Sequence, residues 1–300
     1  MKFKSGYVAI LGLPNVGKST LLNSLLKQKL SIISPKPQTT RKKILGILSE
    51  ENFQIIFLDT PGILKPRYLL QEKMAGFISD AVKDADIFVL MIDISSEKGK
   101  ETLNDEFVKL LLSKTKKPVI LLLNKVDLSK TEIVKKLINE FESMKKFRSV
   151  IPVSAIMNFN VDRVLSEILD LLPEGPRYYP EDQLTDENER FFVSEIIREK
   201  ILELYFEELP YSCEVVIIEF KERDEAKDFI SAEIIVEKES QRAIIIGKGG
   251  SMIKKLGLAS RKSIEDFLQR EVYLELNVKV RKNWRKDEKM LKAFGYGDEE

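Results

Sequence analysis

The chain has 300 residues, with 49 Lys and Arg against 48 Asp and Glu, 43% hydrophobic content and a formal net charge of +1. That is more chain than one core usually serves, so two domains are expected. One cysteine, Cys213, excludes an internal disulfide and points to a reducing compartment, while the absence of histidine excludes His-ligated zinc and Ser-His-Asp catalysis.

In chain order, short apolar runs at 7–11, 54–58, 87–92, 119–123 and 150–153 read as strands buried on both faces. Between them, 18–26, 69–82, 102–112, 131–144 and 161–171 carry helical periodicity. This alternation predicts a mostly parallel, six-stranded sheet with helices on both faces. Residues 43–48, close before 54–58, predict a hairpin and one antiparallel edge strand. The runs IFVLMI and VILLL are too short to cross a bilayer, and MKFKSGYVAIL has no apolar h-region or cleavage site. No signal peptide is expected, and a cytoplasmic location is. PEGPRYYPEDQLTDEN at 173–188 reads as a linker between a domain at 1–172 and another at 189–300. The second domain is expected to begin with a helix of roughly twenty residues from Glu189. Strands near 213–220 and 231–237, a helix at 251–270, a strand at 273–280 and a terminal helix at 287–293 follow. Charge is uneven here: 174–237 holds 19 acidic and 7 basic residues, 238–292 holds 15 basic and 7 acidic. The basic stretch suits a polyanion.

GLPNVGKS at 12–19 fits G-x-x-x-x-G-K-S after a strand and before a helix. Gly12 and Gly17 let the loop curl so that its N–H groups face phosphate oxygens, with Leu13, Pro14, Asn15, Val16 and Thr20 completing the contact set. Lys18 would bridge the β- and γ-phosphates, and Ser19 would give its hydroxyl to Mg²⁺. LDTPG at 58–62 offers Asp59 to the metal's water shell and the Gly62 N–H to the γ-phosphate. NKVD at 124–127 selects guanine, because Asp127 can accept from a ring N–H and an exocyclic amine that adenine does not present together. Asn124 is expected on the other side of the base and the Lys125 stem across its face. VSA at 153–155 brings Ser154 and Ala155, whose N–H would meet the guanine O6. Four such motifs in order at strand ends identify residues 5–172 as similar to a GTPase domain of the translation-factor class.

That resemblance implies three further roles. Thr40 in SPKPQTTRKK is the second metal hydroxyl, with Thr39 the alternative, in a switch that orders with Mg²⁺ and γ-phosphate. Asn15 resembles the asparagine that binds K⁺ beside the phosphates in related GTPases, so K⁺ joins Mg²⁺ as a candidate cofactor and Asn15 joins Lys18 and Thr40 as a catalytic candidate. Ile63 stands where Ras-like enzymes place a water-orienting glutamine, so slow intrinsic hydrolysis is expected.

IIIGKGGSMIKKL at 244–256 lacks the spacing of a second nucleotide loop. Ile245, Ile246, Gly247, Lys248, Gly249, Gly250, Ile253 and Lys254 match instead the GXXG loop of a KH domain, which clamps about four single-stranded nucleotides. Arg281 and Lys282 would add charge at the groove, Ile244–Ile246 its floor, and Trp284 is expected to pack rather than stack. The order of elements resembles the type II KH arrangement. GTPase, linker and KH domain together are similar to the Era family. The resemblance implies GTP and GDP as ligands, the 3′ end of 16S rRNA and the 30S subunit as partners, and a monomer, with peripheral membrane association left open. Two other readings are a tRNA-modification GTPase, whose helical domain and C-terminal cysteine motif are missing here, and a membrane-surface GTPase with a lipid-binding basic tail.

Overall fold

A run such as Ile87–Asp93, buried at every position, has no solvent side and is stable only as an interior strand of a sheet covered on both faces. The structure, a computed structural model, describes residues 2–96, 101–223 and 225–297. The chain folds as two compact units, Met1–Pro66 with Met74–Asp186, and Arg67–Lys73 with Glu187–Glu300.

In the first unit β1 (Lys4–Leu11), α1 (Lys18–Leu26), β2 (Ile44–Glu50), β3 (Phe53–Asp59), α2 (Leu69–Asp84, of which 69–73 group with the second unit), β4 (Ile87–Asp93) and α3 (Glu106–Lys114) come first. β5 (Val119–Asn124), α4 (Thr131–Ser143), β6 (Ser149–Pro152) and α5 (Val161–Leu171) complete it. The six-stranded sheet has the order β2-β3-β1-β4-β5-β6, with β2 antiparallel to β3 and every other pair parallel. The register places Ile10 beside Asp59, Asp93 beside Asn124 and Leu123 beside Pro152. Every motif loop therefore leaves the sheet at the same, carboxyl edge, where parallel sheets bind ligands. The helix expected at 102–112 starts later. Asp105 accepts from the Phe107 N–H and caps α3 at Glu106, so 101–104 forms a separate 3₁₀ turn.

The expected linker is partly docked. Residues up to Asp186 belong to the first unit, where Ile47 N–H donates to Leu184 O at 2.8 Å and Ser5 N–H to Pro173 O at 3.0 Å. Gln54 is fully buried, and its carboxamide serves this segment. Its oxygen accepts from Tyr178 N–H at 2.8 Å and Tyr179 N–H at 3.0 Å, and its nitrogen donates to Tyr179 O at 2.8 Å. A proline-rich composition suggests a free tether; the polar partner that holds it lies more than a hundred residues away.

The second unit contains α6 (Glu189–Leu204), β7 (Glu214–Lys221), β8 (Asp228–Val236), α7 (Glu239–Ile246), α8 (Ser251–Leu268), β9 (Val272–Val280) and α9 (Glu288–Ala293). The sheet order is β7-β8-β9, antiparallel then parallel. Helix α7 is an addition to the expected elements. Gln241 accepts from Glu237 N–H and Lys238 N–H and so caps its start. The core joins Ile197, Ile201, Val215, Ile234, Ile245, Leu256 and Ile264. Trp284 is buried, donating its Nε1–H to Ser212 O at 3.1 Å, and packs edge-on against Phe294. Among the described residues no helix is long and apolar enough to cross a membrane.

Replacing Gln54 with Leu strands two amide donors and one carbonyl of the 178–179 segment. We expect a loss of about 2–4 kcal/mol in denaturant unfolding of the first unit, with new proteolytic cleavage inside 176–188. Unchanged stability and protease resistance would show that this carboxamide does not hold the segment.

Candidate functional site

Residues 12–17 turn back between β1 and α1, and Gly17 at φ 102 opens the helix. That left-handed conformation and the nearness of the Asn124 side chain leave no room for a Cβ. Lys18 is buried, with its Nζ donating to Gly12 O at 3.2 Å and Leu13 O at 3.1 Å. Burial pulls its pKa down to about 8, against the opposing charge of Asp59. Gly62 lies against Pro14, and the Ile63 N–H donates to Gly12 O at 3.0 Å. The Ile63 side chain packs into the first unit's core and is turned from solvent.

An open cleft of about 580 Å³ sits over this edge of the sheet. Pro14, Asn15, Gly17, Lys18, Ser19, Thr20, Thr40, Gly62, Asn124, Lys125, Asp127, Ser154 and Ala155 line it together. Gly12, Leu13, Val16 and Asp59 stand behind the lining; Val16 and Asp59 are buried, so the Val16 side chain serves the core rather than a ligand.

Three oxygen-bearing side chains converge at one end. Ser19 Oγ lies 2.8 Å from Thr40 Oγ1 and donates to Asp59 Oδ2 at 2.8 Å. The Thr39 hydroxyl instead donates to Lys36 O at 2.7 Å. Burial raises the Asp59 carboxyl above the usual range, opposed in part by Lys18, Ser19, Ser31 and the Thr60 N–H. Its Oδ1 is buried with no hydrogen-bond partner. Two hydroxyls and a carboxylate with a free oxygen suit a small hard cation that takes further oxygens from phosphate and water. Among the described residues no group of three His, Cys, Asp or Glu forms a metal cluster.

The other end holds Asp127, exposed at the cleft. Lys125 sits at φ 65 and its Nζ donates to Asp93 Oδ2 at 2.7 Å. Burial works to raise the Asp93 carboxyl, but Lys125 and Ser95 outweigh it and hold it below the usual range. Asn124 also has partners within the protein. Its nitrogen donates to Val16 O at 2.7 Å and its oxygen accepts from Ala155 N–H at 3.0 Å. These bonds use one of the two amide N–H donors, so Asn124, which lines the cleft, keeps a donor for a base, while the Ala155 N–H is directed to Asn124. Asn124 is a clamp between two loops. Asp93, Ser31 and Asn23 escape a reading of the sequence, because no local pattern marks a side chain whose partner is distant.

In the second unit α7 ends at Gly247 (φ 73), where a Cβ would lie 2.7 Å from the Met252 side chain. Gly249 and Gly250, at φ 58 and 78, face open space. Gly247 therefore serves the fold, while the other two leave the approach clear. Lys248, Lys254, Arg281 and Lys282 are exposed, and Ile246 and Ile253 are half-buried. Ile245 corrects the expected groove: it is fully buried in the core, and its carbonyl accepts from Tyr205 Oη at 2.9 Å. Helical phase explains this, since of the apolar triplet only Ile245 faces inward while Ile244 is 56% exposed. Arg281 N–H donates to Val236 O at 2.8 Å, at the entrance to α7.

Comparison with known proteins agrees with this geometry. Residues 7–125 match a family described as 50S ribosome-binding GTPase, and residues 208–285 match the KH domain. The GTPase Era of Clostridium botulinum (strain Kyoto / Type A2) is 46% identical over 294 residues, 98% of each chain. A chloroplastic GTPase ERA-like protein of Oryza sativa subsp. japonica is 50% identical over 299 residues, 99% of this chain and 70% of its own length. A solved Era in complex with MgGDPNP and nucleotides 1506–1542 of 16S ribosomal RNA has a TM-score of 0.91 and 42% identity, covering 99% of this chain and all of that one. A point variant of Aquifex aeolicus Era bound to GDP·AlF4⁻ has the same score and identity.

Replacing Asn124 with Ala leaves Val16 O and Ala155 N–H without partners. We expect guanine-nucleotide affinity to fall roughly 10- to 100-fold, from the loss of two buried hydrogen bonds, chiefly through faster release in stopped-flow measurements. Unchanged release would show that the loops hold their places without the clamp.

Proposed function

The chain belongs to the Era family of GTPases, and we propose that it is a GTP-switched binder of single-stranded RNA at the 3′ end of 16S rRNA, acting in assembly of the 30S subunit. The observation that carries the nucleotide half is the single cleft in which the phosphate loop, Thr40, Gly62, Asp127 and the 153–155 loop meet. The RNA half rests on the exposed glycine loop with Lys248 and Lys254 beside it.

In this reading Lys18 and the 12–17 amides bind the β- and γ-phosphates, and Asp127 selects guanine. Ser19 and Thr40 ligate Mg²⁺, and Asp59 orders its water. The cation supplies charge neutralisation at the phosphates. The remaining task for the chain is to position the γ-phosphate and water for phosphoryl transfer. Because Ile63 is packed into the core, no side chain at that position orients the water, which supports slow unassisted hydrolysis. Asn15 donates its amide N–H to Pro35 O at 2.7 Å, leaving its oxygen as the donor for a monovalent cation such as K⁺. We further propose a cytoplasmic monomer, with the GTP state favouring RNA binding.

Two measurements test the two halves. Asp127→Asn should exchange guanine for xanthine preference by roughly two orders of magnitude or more, as expected when a hydrogen-bonding recognition pair is mismatched; retained GTP preference would reject the base-reading role. Gly249→Asp with Gly250→Asp keeps residues that tolerate the left-handed region and sets carboxylates in the path of a phosphate backbone. A 16S 3′-end oligonucleotide should then lose binding while GTP binding persists; an undiminished oligonucleotide affinity would remove the glycine loop from the RNA site.

A further inference from the structure

A buried carboxylate stays ionised only if hydrogen bonds or a cation replace water. Asp59 Oδ2 accepts from two hydroxyls, Ser19 Oγ at 2.8 Å and Ser31 Oγ at 2.9 Å, while Oδ1 is left open. These hydroxyls differ in their other duties. Ser19 lines the cleft, touches Thr40 and is itself placed to ligate a cation. Ser31 is 1% exposed, does not line the cleft and has no ligand role.

Ser31 is held from outside the switch. Asn23, on α1, donates its side-chain N–H to Ser31 O at 2.7 Å, and its oxygen accepts from Leu30 N–H at 3.0 Å and Ser31 N–H at 2.9 Å. Helix α1 continues directly from the phosphate loop, so this brace is rigidly tied to the nucleotide site. It also precedes 34–43, so rearrangement of that segment does not carry Ser31 with it.

We propose that Ser31, braced by Asn23, is a positioning residue for the cation site: its hydroxyl fixes the rotation of the Asp59 carboxylate so that one oxygen stays free for the water shell of a bound Mg²⁺. This rests on the reading that Ser19, Thr40 and Asp59 surround Mg²⁺. Outer-sphere partners of this type change metal affinity by roughly 10- to 100-fold when removed.

The test is the Mg²⁺ dependence of fluorescent GDP release from the full-length protein, with melting temperature as a second readout. Ser31→Ala should raise the Mg²⁺ concentration that half-maximally slows release by roughly 10-fold. Release in EDTA should stay as in the wild type, the melting temperature should fall only by the few degrees that one lost buried hydrogen bond costs, and Ser31→Thr, which keeps the hydroxyl, should restore the Mg²⁺ response. An unchanged Mg²⁺ midpoint in Ser31→Ala, or an equal change in EDTA, would overturn the positioning role. Release from the wild type that ignores Mg²⁺ would instead overturn the metal reading beneath it.

Discussion

One carboxamide ties the nucleotide cleft together. Asn124 ends β5 and reaches the phosphate loop through Val16 O and the 153–155 loop through Ala155 N–H. The parallel register makes this possible, because it sets the ends of β1, β5 and β6 along one edge within reach of a single side chain. The same contact explains Gly17, since any side chain there would meet the Asn124 nitrogen. The 12–17 and 153–155 loops are therefore tied to each other through two buried hydrogen bonds, which are strong in a low-dielectric interior and costly to lose.

The motifs and the sheet are legible in the sequence because both are local. A glycine loop followed by lysine and serine, or an aspartate after a fully apolar strand, carries its chemistry within a few residues. What stays hidden depends on distant partners. Gln54 reads as a polar interruption of a buried strand until Tyr178 and Tyr179 are seen against it. Asp93 reads as an ordinary strand end until Lys125 reaches it. The motif around Asn124 does not show that the same side chain also reaches Val16 O and Ala155 N–H. Helix α7 is hidden for a different reason: three successive isoleucines obscure a 3.6-residue period over eight residues, and its cap is a glutamine side chain reaching back rather than a serine or threonine ahead.

The two glycine loops illustrate how one residue type serves opposite ends. In the phosphate loop the chain itself crowds Gly17, so the missing side chain lets protein pack on protein. In the GKGG loop only Gly247 is crowded, and Gly249 and Gly250 face outward. There the positive φ alone favours glycine, and no neighbour crowds the two positions. In the proposed RNA role the same bare backbone would admit a close approach, and the exposed lysines beside it would suit an anionic backbone.

The segment from Ser31 to Ile44 shows how much of a switch the protein can set by itself. Its root is fixed by Asn23 and its end enters β2. Between them, Asn15 holds Pro35 and Ser19 holds Thr40. A neutral hydrogen bond contributes about 0.5–1.5 kcal/mol net, so the Ser19–Thr40 contact alone biases the segment by roughly tenfold at most. Driving a two-state element from almost fully one way to almost fully the other takes about 5.5 kcal/mol of differential binding. In the proposed reading, the Ser19–Thr40 contact by itself would hold Thr40 beside the cation site without committing it there. In that reading the commitment would come from charge-assisted bonds made only when a γ-phosphate and its cation are both present, and dependence on a group lost in hydrolysis would make the segment a switch rather than a loop.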